Sequence, residues 1–180
     1  MKATGIVRRI DDLGRVVIPK EIRRTMRIRE GDPLEIYTDK DGEVIFKKYS
    51  LMGALEDFAG QICETLSKNT GSVVAVSDRD SIIAASGTQR RDLVEKRISA
   101  ELVQIMEGRQ IYQSKASDQP VPAVDSGDKY KVSIAAPIIS EGDVLGCVLF
   151  LGTENDARTG ETEYKLAQTI AGFLGKHMES

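Results

Sequence analysis

The 180-residue sequence predicts an α+β protein in two parts. A small strand-rich unit fills residues 1–50. An antiparallel sheet with flanking helices fills 56–180, and residues 51–55 link the two as the start of a helix. Three observations lead there. Charge divides near residue 51: the first fifty residues carry 12 Lys and Arg against 9 Asp and Glu, the remainder 13 against 19. The hydrophobic spacing changes at the same place, from short β-branched runs to a helical stripe. Beyond it the elements run helix, two strands, helix, long loop, two strands, helix, the order of an antiparallel sheet with its helices segregated.

In the first unit, Thr4–Ile10 is β-branched and basic and reads as a strand. Asp11-Asp12-Leu13-Gly14 is turn chemistry, with Gly14 free to take positive φ. Arg15–Ile18 is a second strand, stopped by Pro19, which suits the entry of a helix. Lys20–Arg27 is that helix, with Ile22 and Met26 on one face. Leu34–Thr38 and Glu43–Lys47 form a hairpin around Asp39-Lys40-Asp41-Gly42. Only 19 of these fifty residues are apolar. Below about 70–80 residues a core rarely stands without a staple or a partner. With no cysteine here, dimerisation through these strands is the expected remedy.

In the second unit, Leu51–Lys68 is amphipathic through Leu51, Leu55, Phe58, Ile62 and Leu66, and Asn69-Thr70-Gly71 ends it. Val73–Ser77 and Ser81–Ser86 are strands around Asp78-Arg79-Asp80. Asp92–Glu107 reads as one helix closed by Gly108. Residues 109–129 form a long polar loop with a short strand at Gln110–Gln113. Tyr130–Ile139 and Val144–Leu151 are strong strands, and Glu161–Met178 is a closing helix.

Composition excludes several functions. No run approaches the ~18 apolar residues of a membrane span, and charged residues follow Met1-Lys2 too soon for a secretory signal. The expectation is a cytoplasmic protein with no membrane partner. Cys63 and Cys147 lack the spacing of a zinc site or a disulfide framework; the single histidine, His177, excludes a histidine-rich metal site and argues against a histidine-based triad. No cofactor and no catalysis are expected.

The sharpest feature is arginine. Residues 1–29 hold 9 basic against 3 acidic side chains. Arg8 and Arg9 leave the first strand, Arg15 opens the second, and Arg23, Arg24 and Arg27 follow on the helix. The planar guanidinium suits phosphates and guanine edges, and a basic front on an acidic body points to an anionic partner for the front alone. The bland alternative is a solvated, arginine-rich surface.

The run Gly14-Arg15-Val16-Val17-Ile18-Pro19-Lys20-Glu21-Ile22-Arg23, continued by Gly31-Asp32-Pro33-Leu34-Glu35-Ile36-Tyr37, resembles the AbrB transition-state regulator family of swapped-hairpin DNA-binding domains. That resemblance covers about 50 residues. It implies an intertwined β-barrel dimer on double-stranded, AT-rich DNA. By position it implies Arg8, Arg15, Arg23 and Arg24 as DNA contacts, with Arg9, Lys20, Arg27 and Lys2 behind them.

The second unit resembles a GAF domain, through Val73-Val74-Ala75-Val76-Ser77-Asp78 with Ile82-Ile83-Ala84-Ala85-Ser86-Gly87, and Val132–Ile138 with Val144–Leu149. The combination is similar to sporulation regulators of endospore-forming bacteria. It implies a transcription regulator, both activator and repressor, acting on sporulation genes from the nucleoid of the developing spore. It also implies a homotetramer through the GAF-like domains. Met52, Ala59 and Cys63 on the first helix and Ala167 and Ala171 on the last are the expected bundle residues. Ser77, Ser86, Tyr130 and Ser133 are the expected wall of a small-molecule site, against the plainer reading of structural hydroxyls. Two alternatives remain at this stage. One is a GAF-type thiol reductase, which needs an exposed thiolate. The other is an antitoxin, since some share the swapped-hairpin front.

Overall fold

Residues 4–50, 52–153 and 160–179 are described by the computed structural model. The chain divides into two units, Met1–Tyr49 and Ser50–Ser180. In the first, α1 (Lys20–Thr25) is followed by β1 (Leu34–Thr38) and β2 (Val44–Lys48). The two strands pair antiparallel with Ile36 opposite Phe46 and Tyr37 opposite Ile45. Their turn is held by Asp39, whose Oδ1 accepts the amides of Asp41 at 3.0 Å and Glu43 at 2.9 Å. Helix α1 stops before the expected Arg27, because that residue turns into the left-handed region at φ 52°. The Arg27 carbonyl accepts Lys48 Nζ at 2.9 Å, and the same ammonium lies 3.5 Å from the buried carboxylate of Asp32. The loop after α1 is thereby tied to β2.

The expected strands at Thr4–Ile10 and Arg15–Ile18 are not formed. A strand persists only alongside a neighbour that takes its amides and carbonyls. Within one chain the available hairpin already pairs with itself. Val7 is left 86% exposed, and Ile10 and Val17 are exposed with it.

The second unit opens with a 3-10 turn at Met52–Leu55 and then α2 (Glu56–Thr70), ended by Gly71 in the left-handed conformation at φ 73°. The expected continuous helix from Leu51 is thus a tighter turn followed by a helix; Leu51 itself lies outside the described residues. The sheet runs β4 (Ile82–Ser86), β3 (Val73–Asp78), β8 (Asp143–Gly152), β7 (Gly127–Ser140), β5 (Tyr112–Gln113), with β6 (Pro122–Val124) also on β7. All pairings are antiparallel. The polar stretch at 109–129 therefore contributes β6 as well as the short strand β5.

Side chains alternate across a strand, so a sheet covered on both faces needs two cores. Val74, Val76, Ile134, Ala136, Ile138, Val148 and Phe150 pack under α2 and α5 (Glu161–His177). Ala75, Ile82, Ala135, Cys147 and Leu149 pack with Leu93, Ile98, Leu102 and Met106 from the opposite layer. This double coverage explains why β7 and β8 read as nearly continuous apolar runs.

The second layer corrects the single helix expected over Asp92–Glu107. It is two pieces, α3 (Arg90–Leu93) and α4 (Ala100–Glu107). Between them Glu95 takes φ 65° and the chain pairs along the edge of β4. The Glu95 amide donates to the Ile82 carbonyl at 2.9 Å, and the Ile82 amide to the Lys96 carbonyl at 3.0 Å. Ser99 then restarts the helix, its Oγ accepting the Leu102 amide at 3.0 Å. A serine three residues before Leu102 is an N-cap signal, and it wins over helical spacing here.

The residues expected to face outward into a helical bundle face inward instead. Met52, Ala59, Cys63, Ala167 and Ala171 are all at most 4% exposed and belong to the core under α2 and α5. Small residues there let the two helices settle close to the sheet. Gly175 shows how close: a Cβ at that position would stand 2.1 Å from the Ile139 carbonyl oxygen of β7.

Candidate nucleic-acid interface

The structure leaves Arg8, Arg9, Arg15, Lys20, Arg23 and Arg24 exposed. Arg23 and Arg24 are brought to adjacent positions by α1, which begins directly after Pro19. Arg27 departs from this set. It is half-buried, and its backbone serves the Lys48 anchor. Lys2 lies outside the described residues.

The guanidinium of Arg15 is held in an ion pair. Its Nε donates to Asp11 Oδ2 at 2.9 Å, while Asp11 Oδ1 accepts the Arg15 amide at 2.8 Å and the Leu13 amide at 3.0 Å. The Arg15 amide first, and then its guanidinium, hold the Asp11 carboxyl below the usual carboxylate range. In the sequence alone Asp11 reads only as turn chemistry. The signal that would have found its second role is its spacing of four residues from an arginine across a glycine turn.

Of the four residues expected to line a ligand wall, Ser77 and Tyr130 share one face of the sheet and Ser86 lies toward the other. Ser77 pairs across the sheet with Cys147 and Ile82, so it faces the α4 layer, where Tyr130 also packs. Ser86 pairs with Val74, whose side chain belongs to the opposite core. Ser133 sits at a register shift between Val132 and Ile134. The Tyr130 hydroxyl is engaged by Thr88 and lies 3.4 Å from Asp92 Oδ2, which also accepts Lys129 Nζ at 2.7 Å. That lysine holds the Asp92 carboxyl below its ordinary range and is itself raised by it.

Both thiols are buried. Burial pushes Cys63 up to about 12 and pushes Cys147 up as well. Neither presents the exposed thiolate that a thiol reductase requires. Native protein is expected to show no reaction with an aromatic disulfide reagent at pH 8, and two reactive thiols per chain after unfolding in guanidinium. Among the described residues, no group of acidic, histidine or cysteine side chains is placed to hold a metal, and no helix is long and apolar enough to cross a membrane.

Comparison with known proteins assigns both units. Residues 54–179 match the family model of the stage V sporulation protein T C-terminal, transcription factor, and residues 7–51 match that of antidote-toxin recognition MazE, bacterial antitoxin. Stage V sporulation protein T of Bacillus subtilis (strain 168) is 50% identical over 182 residues, covering 99% of each chain. The transition state regulatory protein AbrB of the same organism is 65% identical over 49 residues, 27% of this chain and 50% of that protein. A solved segment of a methyl-accepting chemotaxis protein, residues 122 to 287, superimposes with a TM-score of 0.54 at 16% identity, covering 68% of this chain and 87% of that one. That likeness is one of fold.

An arginine-bearing AbrB-like front on a GAF-like body is the build of a two-domain transcription regulator. The similarity to the sporulation regulator runs the whole length and is not confined to the front shared with antitoxins. The chain belongs to the stage V sporulation protein T family and is a DNA-binding transcription regulator of sporulation.

Proposed function

We propose that two copies of the first unit intertwine, each supplying the strand partner the other lacks, and that the dimer grips AT-rich duplex DNA through Arg8, Arg15, Arg23 and Arg24. Arg9 and Lys20 add phosphate contacts at the rim. The observation that carries this reading is the coincidence, in one 49-residue unit, of an exposed arginine set with unpaired β-branched segments. The first argues for a polyanion. The second argues for a second chain. The regulator acts on the nucleoid in the cytoplasm of the developing spore, as activator at some genes and repressor at others.

We place the tetramer contact on the outer face of α2 and α5. Phe58 and Phe173 rings lie 6.2 Å apart, and His177 stacks 6.1 Å from Phe173, which is half exposed. An aromatic cluster across two helices, with Phe173 and His177 exposed and Phe58 partly so, suits burial against its own copy. Two DNA-binding dimers on one tetramer then gain avidity wherever both reach the same duplex.

The test is fluorescence anisotropy of the full-length protein on AT-rich and GC-rich duplexes of equal length, between 50 and 200 mM salt. The expected log–log slope is on the order of −5 to −10, with tighter binding to the AT-rich duplex. A weak, flat response equal on both duplexes would refute the reading. In parallel, Phe58→Asp with Phe173→Asp is expected to sediment as two chains where the wild type sediments as four. The same pair of substitutions is expected to weaken binding to long duplexes more than to short ones.

A further inference from the structure

Asp11 places a negative charge inside a face otherwise built to attract phosphates. Both of its oxygens are engaged. Oδ1 closes the turn by accepting the Leu13 and Arg15 amides, and Oδ2 accepts Arg15 Nε at 2.9 Å. The Asp11 amide donates to the Arg15 carbonyl at 2.9 Å, and the Gly14 amide to the Asp11 carbonyl at 3.0 Å, with Gly14 at φ 74°. The turn is therefore a small closed unit whose product is a fixed origin for the Arg15 side chain. That side chain remains 69% exposed. A guanidinium held by Nε keeps both terminal nitrogens, and their four N–H donors, for another acceptor. A long exposed arginine otherwise gives up much rotamer freedom when it meets DNA.

We infer that Asp11 is a positioning residue for DNA specificity, holding Arg15 by its Nε so that the terminal fork is directed at one place on the duplex. This rests on Arg15 being a DNA contact. The opposing account is that Asp11 only shapes the turn, its charge being a tolerated repulsion. The two accounts differ in sign. Removing one negative charge per chain, by itself, raises affinity for every duplex and steepens the salt dependence. Losing the grip on Arg15 lowers affinity for the preferred duplex alone.

Asp11→Asn separates them, because asparagine keeps an oxygen for the two amides and loses the charged partner of Nε. With the full-length protein on AT-rich and GC-rich duplexes of equal length, the expected result is an AT-rich to GC-rich affinity ratio reduced several-fold, since the narrow minor groove of AT-rich DNA attracts a correctly placed arginine. GC-rich binding is expected to rise a few-fold. In an Arg15→Lys background, which keeps the charge and has no Nε, Asp11→Asn is expected to leave the ratio unchanged. Parallel rises on both duplexes, or the same change of ratio in both backgrounds, would overturn the inference. So would a parallel fall on both duplexes with a lowered melting temperature, since that is the mark of a turn-forming role alone. Arg15→Ala decides the premise separately. If it leaves both affinities unchanged, the assignment of Arg15 to the interface fails; if it weakens them while Asp11→Asn leaves the ratio intact, only the role given to Asp11 fails.

Discussion

Replacing Arg23 and Arg24 together by alanine is expected to remove most DNA binding and leave the fold intact. Both side chains are exposed on α1, so the substitution exposes no core, and alanine is the better helix former. A dimer loses four guanidinium groups at once. At one to three kcal/mol for a well-formed contact, the loss is roughly a hundredfold or more in affinity. If all four meet phosphates, the magnitude of the log–log salt slope falls by about 3 to 4. Anisotropy titrations at three salt concentrations measure both quantities. A melting curve matching wild type separates lost contacts from lost structure. Undiminished affinity with an unchanged slope would move the interface off α1.

The second large effect concerns Gly175. Two glycines lie three residues apart on α5 and are expected to respond oppositely to the same change. At Gly172 a Cβ would meet nothing within 4 Å, so Gly172→Ala is expected to stabilise by up to about 1 kcal/mol through helix propensity. At Gly175 the new Cβ would stand 2.1 Å from the Ile139 carbonyl oxygen and 3.1 Å from its carbon. The helix has to lift from β7, opening a core that includes Leu174 and Ala171. Gly175→Ala is expected to cost about 3 kcal/mol, which in a unit of this size lowers the melting temperature by about 10 °C. Thermal unfolding followed by circular dichroism resolves the pair. Equal melting temperatures for the two variants would contradict this packing of α5.

The parts of the molecule legible in the sequence are those set by local pattern. Strands β7 and β8 announce themselves by apolar runs on either side of Glu141-Gly142, and Gly71 and Gly42 mark their turns through the positive φ they adopt. The charge of the basic front needs no structure to be read. Where the reading departs from the structure, the deciding contact is distant in the chain. Glu95 and Lys96 leave the helical pattern because Ile82, on another strand, offers a carbonyl and an amide. The expected wall of Ser77, Ser86, Tyr130 and Ser133 is divided by the sheet, with Ser77 and Tyr130 on the α4 face and Ser86 paired with Val74 of the other core. Register shifts at Val76/Ser77 and at Val132/Ile134 change which face a side chain meets, and alternation counted along the sequence does not see them. The inward turn of Ala59, Cys63, Ala167 and Ala171 has a similar cause. A small apolar residue on a helix is equally compatible with an exposed seam and a close approach to the sheet, and only the position of β7 decides. The two strands expected at Thr4–Ile10 and Arg15–Ile18 are the extreme case, since the hairpin of the single chain is already paired with itself.

The exposed Val7, Ile10 and Val17 carry a consequence for control of the genes themselves. If the grip needs two chains, as proposed, it forms in proportion to the square of chain concentration while copies are scarce. Promoter occupancy then rises more steeply than synthesis, with no communication between sites on the DNA. Halving the amount of protein, by dilution at division or by proteolysis, removes more than half of the bound regulator. The unfinished edge of the first unit thus acts as a threshold on abundance, separating a cell that has begun to make the regulator from one that has committed to using it.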